Sequence, residues 1–161
     1  MITAFQRNPY KWLMLFIVTL FLAGLFLPYE TVQIVDFERE NPLLGTRVAY
    51  GWQVISFQVE CSISCLLLLV SLSSRIALRL LLMRVLLIVL ILTGIVSFFT
   101  DLGFMSGMSY LPKLQIAGYF NYTGLLLTML YGFLHFRKSY PVYKRLLEEQ
   151  KKQSSDLLDS F

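Results

Sequence analysis

The sequence predicts an all-α membrane protein, an antiparallel bundle of four transmembrane helices with a small outer cap and both termini cytoplasmic. Three observations carry that expectation. Hydrophobic residues make up 57% of the 161-residue chain and charged residues only 15%, whereas a soluble domain carries about 25% charge. The apolar residues fall into four long runs separated by charges. The basic residues gather on one side of those runs.

Helix one is expected over about 10–27, because 18 uncharged residues separate Lys11 from Glu30. That length suits a hydrocarbon core of about 30 Å, which takes roughly 20 helical residues. Pro28 stops the helix. Arg7 and Lys11 before an apolar run imitate a signal peptide, but no A-x-A-like site follows Phe26-Leu27-Pro28, so the helix is read as retained. Tyr10, Trp12 and Tyr29 fit interfacial aromatic positions, and Thr19 and Ala23 form a small-residue strip for a neighbouring helix.

The first outer loop, 28–51, leans toward β structure in Thr31–Phe37 and Thr46–Tyr50, with turn chemistry in Asn41–Gly45 between them. A short β-hairpin is expected there, and a two-stranded ribbon needs the bundle to pack on. Helix two is expected over 52–72. Only 14 uncharged residues separate Glu60 from Arg75, about 21 Å of helix, so the helix must draw Glu60 inward to cross. Ser71–Ser74 makes a tight inner turn into helix three, 75–99, and forces the two helices to be antiparallel neighbours. A second outer loop, 100–113, leads to helix four, 114–136, which is charge-free for 23 residues. The remainder, 137–161, reads as a basic, amphipathic cytoplasmic tail, with Pro141 placed to open a short helix of its own.

Orientation follows from the charges. The N-terminus, second turn and tail hold 11 of the 14 Lys and Arg residues with four acids, a net +7; the other side holds three basic residues and six acids, a net −3. Such asymmetry is a topology signal in a plasma (inner) membrane protein and not a nucleic-acid footprint. Arg75, Arg79, Arg84, Arg137 and Lys138 are the expected contacts to lipid headgroups.

Chemistry-bearing residues are few. Gln53, Ser56, Glu60 and Ser64 recur at spacings of three, four and four, one polar stripe on helix two. A charge inside hydrocarbon costs several kcal/mol on most scales, so Glu60 is read as facing a wet interface, another helix, or an ion or substrate path. Asp101 closes helix three, where Arg47 or Lys113 could pair with it. Ala117, Asn121, Gly124, Thr128 and Gly132 give helix four a face of small and hydrogen-bonding residues, which favours close helix packing. His135 is expected at the inner interface, solvated or facing headgroups. Cys61 and Cys65 lie four apart on one helix, without the spacing of a redox or metal motif.

The order of helix, larger outer loop, helix, tight inner turn, helix, shorter outer loop and helix is similar to that of claudin-type tetraspans, with Gly51-Trp52 as a local echo. The family's loop cysteines are absent, because both cysteines lie in helix two. The resemblance implies shared architecture and carries over no functional residue. The sequence therefore points to a non-catalytic subunit or scaffold of a membrane complex, with the lipid bilayer and other membrane subunits as partners, no cofactor and no enzymatic activity. The alternative is a homo-oligomeric channel or transporter using Glu60.

Overall fold

A computed structural model of the chain describes residues 6, 8–35, 43–101 and 113–158. Over these residues the chain is mostly helical, with a small antiparallel sheet at one end. The elements run α1 (Lys11–Phe26), β1 (Pro28–Val35), β2 (Leu43–Tyr50), a 3-10 turn (Gly51–Gln53), α2 (Ile55–Ser71), α3 (Ile76–Asp101), β3 (Lys113–Leu114) and α4 (Ile116–Leu158). The expectations for residues 36–42, for the loop over 102–112, and for side-chain pairing among Arg47, Asp101 and Lys113 lie outside what is described.

α1 starts after an Asx turn, in which Asn8 Oδ1 accepts the Tyr10 N–H at 2.9 Å. It ends where Pro28 excludes helical backbone from the preceding residue, and Leu27 is extended at φ −91° and ψ 156°. Met14, Ile17, Phe21 and Gly24 are its buried stripe, at helical spacing. Thr19 is exposed and bonds back to the Leu15 carbonyl at 2.9 Å, so the expected Thr19–Ala23 strip is not the packing face. Gly24 decides the matter: a Cβ there would stand 2.9 Å from the Phe57 ring, so only glycine admits that ring.

The sheet has the order β2-β1-β3, with β1 central. The β1–β2 pairing aligns Thr31 with Val48 and Gln33 with Thr46, over the expected hairpin segments. The third strand was not expected. It is two residues long, too short for an alternating pattern, and pairs Glu30 with Leu114. Gln115 extends the tie, its N–H donating to the Tyr29 carbonyl at 2.7 Å and its side chain to Thr31 Oγ1 at 3.0 Å. The sheet thus fastens the exit of α1 to the entrances of α2 and α4.

Among the described glycines, Gly51 lies most tightly against neighbouring backbone. Its N–H donates to the Leu27 carbonyl at 3.2 Å. A Cβ on it would lie 2.1 Å from the Gly24 carbonyl oxygen, so no other residue fits without moving backbone. The Gln53 side chain accepts the Tyr50 N–H at 3.1 Å and closes the 3-10 turn.

α2 and α3 are joined by a tight turn, with Leu72 N–H to Leu69 O at 3.1 Å and Ser73 N–H to Val70 O at 3.0 Å. They pack against each other, and α4 packs on α1, α2 and α3, so α4 is the spine of the bundle. The core holds Ile17, Phe21, Tyr29, Phe57, Leu67, Leu68, Met83, Leu90 and Tyr131, with T-shaped contacts of Phe57 to Phe21 and Tyr29 at 6.1 and 5.8 Å.

The break expected before Pro141 is absent. α4 is one helix of 43 residues that contains Pro141, so 137–158 continues the spine and is not a separate helix. Proline lacks an N–H to give, but good helix formers lie on both sides, Arg137 and Lys138 before it and Lys144, Arg145, Leu146, Leu147, Glu148 and Glu149 after it. Among the described residues one helix is long and apolar enough to cross a membrane: Ile76–Thr100, with mean hydropathy 2.7 and 22% of its most apolar stretch buried. Lys11–Phe26 and Ile55–Ser71 are shorter apolar helices.

Candidate functional site

The polar residues inside the bundle form two clusters, one near the sheet and one at the opposite end. The first is built by α2, α4 and the start of β1. Glu60, Asn121 and Tyr29 are each 0% exposed. Asn121 Nδ2 donates to Glu60 Oε2 at 2.5 Å and to the Tyr29 hydroxyl at 3.4 Å. One amide thereby joins three elements that are 61 and 92 residues apart in sequence. A buried carboxylate is costly unless hydrogen bonds satisfy it, and such a pairing fixes helix register. α2 begins at Ile55, about a turn later than the expected 52, yet Glu60 is 0% exposed and so faces the bundle interior.

The expected polar stripe divides. Ser64 is 0% exposed, one turn below Glu60, and its Oγ has no hydrogen-bond partner among the described residues. Ser56 is half-buried and faces α3, in a shallow hollow with Thr93 and Ser97. Gln53 is exposed and serves the 3-10 turn instead. Only Glu60 and Ser64 therefore reach the interior.

On α4, Ala117, Asn121, Gly124, Thr128 and Gly132 are all buried. Gly124 lies under Phe21 of α1 and Gly132 under Leu87 of α3, where a Cβ would come within 2.9 and 2.7 Å of those side chains. The Thr128 hydroxyl donates to the Gly124 carbonyl at 2.7 Å, so it is satisfied within its own helix.

The second cluster lies at the α2–α3 turn. Tyr131 is 0% exposed, accepts from Asn8 Nδ2 at 2.7 Å and shares a hydrogen bond of 2.6 Å with Ser71 Oγ. The Tyr10 ring meets it edge-on at 6.3 Å. Asn8 therefore starts α1 and also ties that start to α4. His135 departs from expectation: it is 9% exposed, beside Tyr131 at 5.9 Å, with Nδ1 3.4 Å from Ser139 Oγ. Arg79 reaches from α3 to donate to the Ser73 carbonyl at 3.0 Å and to Ser139 Oγ at 3.3 Å. Of the expected headgroup residues, Arg75, Arg84, Arg137 and Lys138 are exposed and Arg79 is half-buried.

Tyr29, Ser71 and Asn8 were missed as site residues. Tyr29 imitates an interfacial aromatic, and nothing local in the sequence marks its hydroxyl as internal. Tyr131 and Ser71 each sit on an apolar helix at the period of its buried face, which is the signal that could have paired them. The clusters tie helices together. Among the described residues no group of three or more His, Cys, Asp or Glu side chains could hold a metal ion. Comparison of the chain with protein-family models, curated proteins and solved structures finds no match.

Proposed function

We propose that the chain spans a membrane four times, with its basic end in the cytoplasm, and acts as a non-catalytic subunit or scaffold of a membrane protein complex in the plasma (inner) membrane. The observation that carries this reading is the apolar exterior of the bundle, set against polar side chains among its buried residues. Glu60 with Asn121, Tyr131 with Asn8 and Ser71, and Thr128 with the Gly124 carbonyl are hydrogen-bonded inside, while Leu81, Val85, Ile88, Leu92, Ile95 and Phe99 of α3 are exposed. In water that distribution is unfavourable by about 25 cal/mol for each Å² of apolar surface left exposed. In hydrocarbon the same surface costs nothing, and the internal pairing is what membrane depth demands.

The short helices are compatible with crossing. The 16 residues of α1 span about 24 Å, and extended backbone through Leu27 and Tyr29 adds roughly 10 Å. The Leu27 and Tyr29 carbonyls accept from the Gly51 and Gln115 N–H groups, as non-helical backbone at this depth requires. Grooves between helices on the apolar exterior, such as the one of Gly94, Phe98, Tyr122 and Leu125 between α3 and α4, suit the helices of another subunit.

The alternative is a homo-oligomeric channel or transporter using Glu60, and the buried carboxylate is what favours it. Glu60 is 0% exposed and held by Asn121, which supports a role in joining α2 to α4 over a role in a path. Native mass measurement of the full chain extracted in mild detergent tests both. Co-purification with other membrane chains is the expected result. Recovery of the chain alone as a monomer sinks the subunit reading. A homo-oligomer whose ion or proton flux in liposomes is lost with Glu60→Gln establishes the alternative.

A further inference from the structure

At the basic end of the bundle a cavity of about 530 Å³ opens between the Asn8–Pro9 segment, the α2–α3 turn and α4. Arg79, Lys138 and His135 line it with Ser73, Ser74 and Ser139, and no carboxylate is among its described lining residues. Arg79 is already positioned: its guanidinium is held by the Ser73 carbonyl and Ser139 Oγ, at 3.0 and 3.3 Å. Those contacts are to neutral oxygens, so its charge is uncompensated, and its buried Nε has no hydrogen-bond partner among the described residues. Ser74 and Ile76 bring the start of α3 to the cavity, where the 26-residue helix presents unpaired N–H groups and the positive end of its dipole. Elsewhere on α4 a cation does find an acid, since Lys144 stands 3.9 Å from Glu148. Lys138 faces the cavity without one among its lining residues.

Fixed guanidinium, ammonium, hydroxyl donors and a helix N-terminus converge on a concave space rich in donors and poor in negative charge. We propose that this cavity is a binding site for a phosphate-bearing anion, with Arg79 and Lys138 as its charged contacts and Ser73, Ser74 and Ser139 as hydroxyl donors. Arg79 supplies planar, directional donors and Lys138 a mobile point charge. Val142 and Ile76 add an apolar wall, so the phosphate is carried by a phospholipid headgroup or is free in solution. The site stands apart from the subunit reading: a monomer can bind phosphate, and a subunit can lack the site.

Binding is read as thermal stabilisation of the full chain, titrated with inorganic phosphate in neutral detergent. A parallel set uses nanodiscs of phosphatidylcholine with and without phosphatidic acid. Stabilisation by inorganic phosphate assigns a free anion, and stabilisation only by phosphatidic acid assigns a headgroup. In either case Lys138→Gln, at an exposed position that leaves the fold intact, weakens the response about tenfold. Arg79→Gln weakens it further. Arg84→Gln, on the same helix but lining a different hollow with Phe136 and Tyr140, leaves it unchanged. The proposal is overturned if neither phosphate source stabilises the chain, or if Arg84→Gln and Lys138→Gln weaken the response equally.

Discussion

Gly51→Ala and Gly118→Ala separate two kinds of crowding that look alike by distance. A Cβ at Gly51 would lie 2.1 Å from the Gly24 carbonyl oxygen, 2.9 Å from its carbonyl carbon and 3.2 Å from Leu25 Cα. All three atoms are backbone, so relief requires α1 and the 3-10 turn to part by about 1 Å. That movement strains the Gly51–Leu27 hydrogen bond, whose loss costs about 1 kcal/mol. Overpacking adds about 1–3 kcal/mol, toward the upper end because backbone must move. The sum is about 3–4 kcal/mol. A Cβ at Gly118 would meet Leu114 Cδ1 at 2.2 Å, but that is the tip of a flexible side chain. Gly118 is also helical, where alanine gains about 1 kcal/mol over glycine. The expected outcome is a fall of several degrees in the detergent unfolding midpoint for Gly51→Ala and a change near zero for Gly118→Ala. If the two variants rank in the opposite order, the argument that backbone contact at Gly51 closes the fold is wrong.

Further outcomes follow from the buried pairings. Asn121→Leu removes the amide that donates to Glu60 and Tyr29, and is expected to cost about 3 kcal/mol. Glu60→Gln keeps a polar partner for Asn121 and is expected to cost less than half as much in the same denaturation assay. Tyr131→Phe deletes the hydroxyl shared by Asn8 and Ser71, with a loss of about 1–2 kcal/mol and faster protease cleavage before α1. Pro141→Ala restores a helical N–H at an exposed position and is expected to slow amide exchange over 137–150, by up to about 3 kcal/mol of local stability. Unchanged exchange there would mean that the helix does not depend on that hydrogen bond.

Much of this was legible in the distribution of charge. The short gap between Glu60 and Arg75 singled out Glu60 as the irregular residue of its helix; the helix begins at Ile55 and not at 52, and Glu60 is fully buried within the bundle. Its partner was not legible. Asn121 read as one more small polar residue on a packing face, because a contact spanning 61 residues leaves no local trace. Tyr29 was hidden by chemistry it shares with interfacial aromatics, and His135 by its nearness to Arg137 and Lys138. Pro141 misled because a proline at a helix start and one inside a helix look alike when helix formers lie on both sides. The two-residue β3 was illegible for want of length.

The spine helix reaches further than the bundle it organises. At 1.5 Å per residue α4 is about 65 Å long, and roughly half of it, from Arg137 onward, extends beyond the apolar run. Its first turn is tied to the sheet by Gln115, and its middle is gripped through Asn121 and Tyr131. Such a rod works as a lever with its fulcrum inside the core. A tilt of about 5° about Tyr131 would sweep its far end by roughly 3–4 Å. Whatever grips the sheet can thus be felt at the opposite tip, with Pro141 as the point where the beam is weakest.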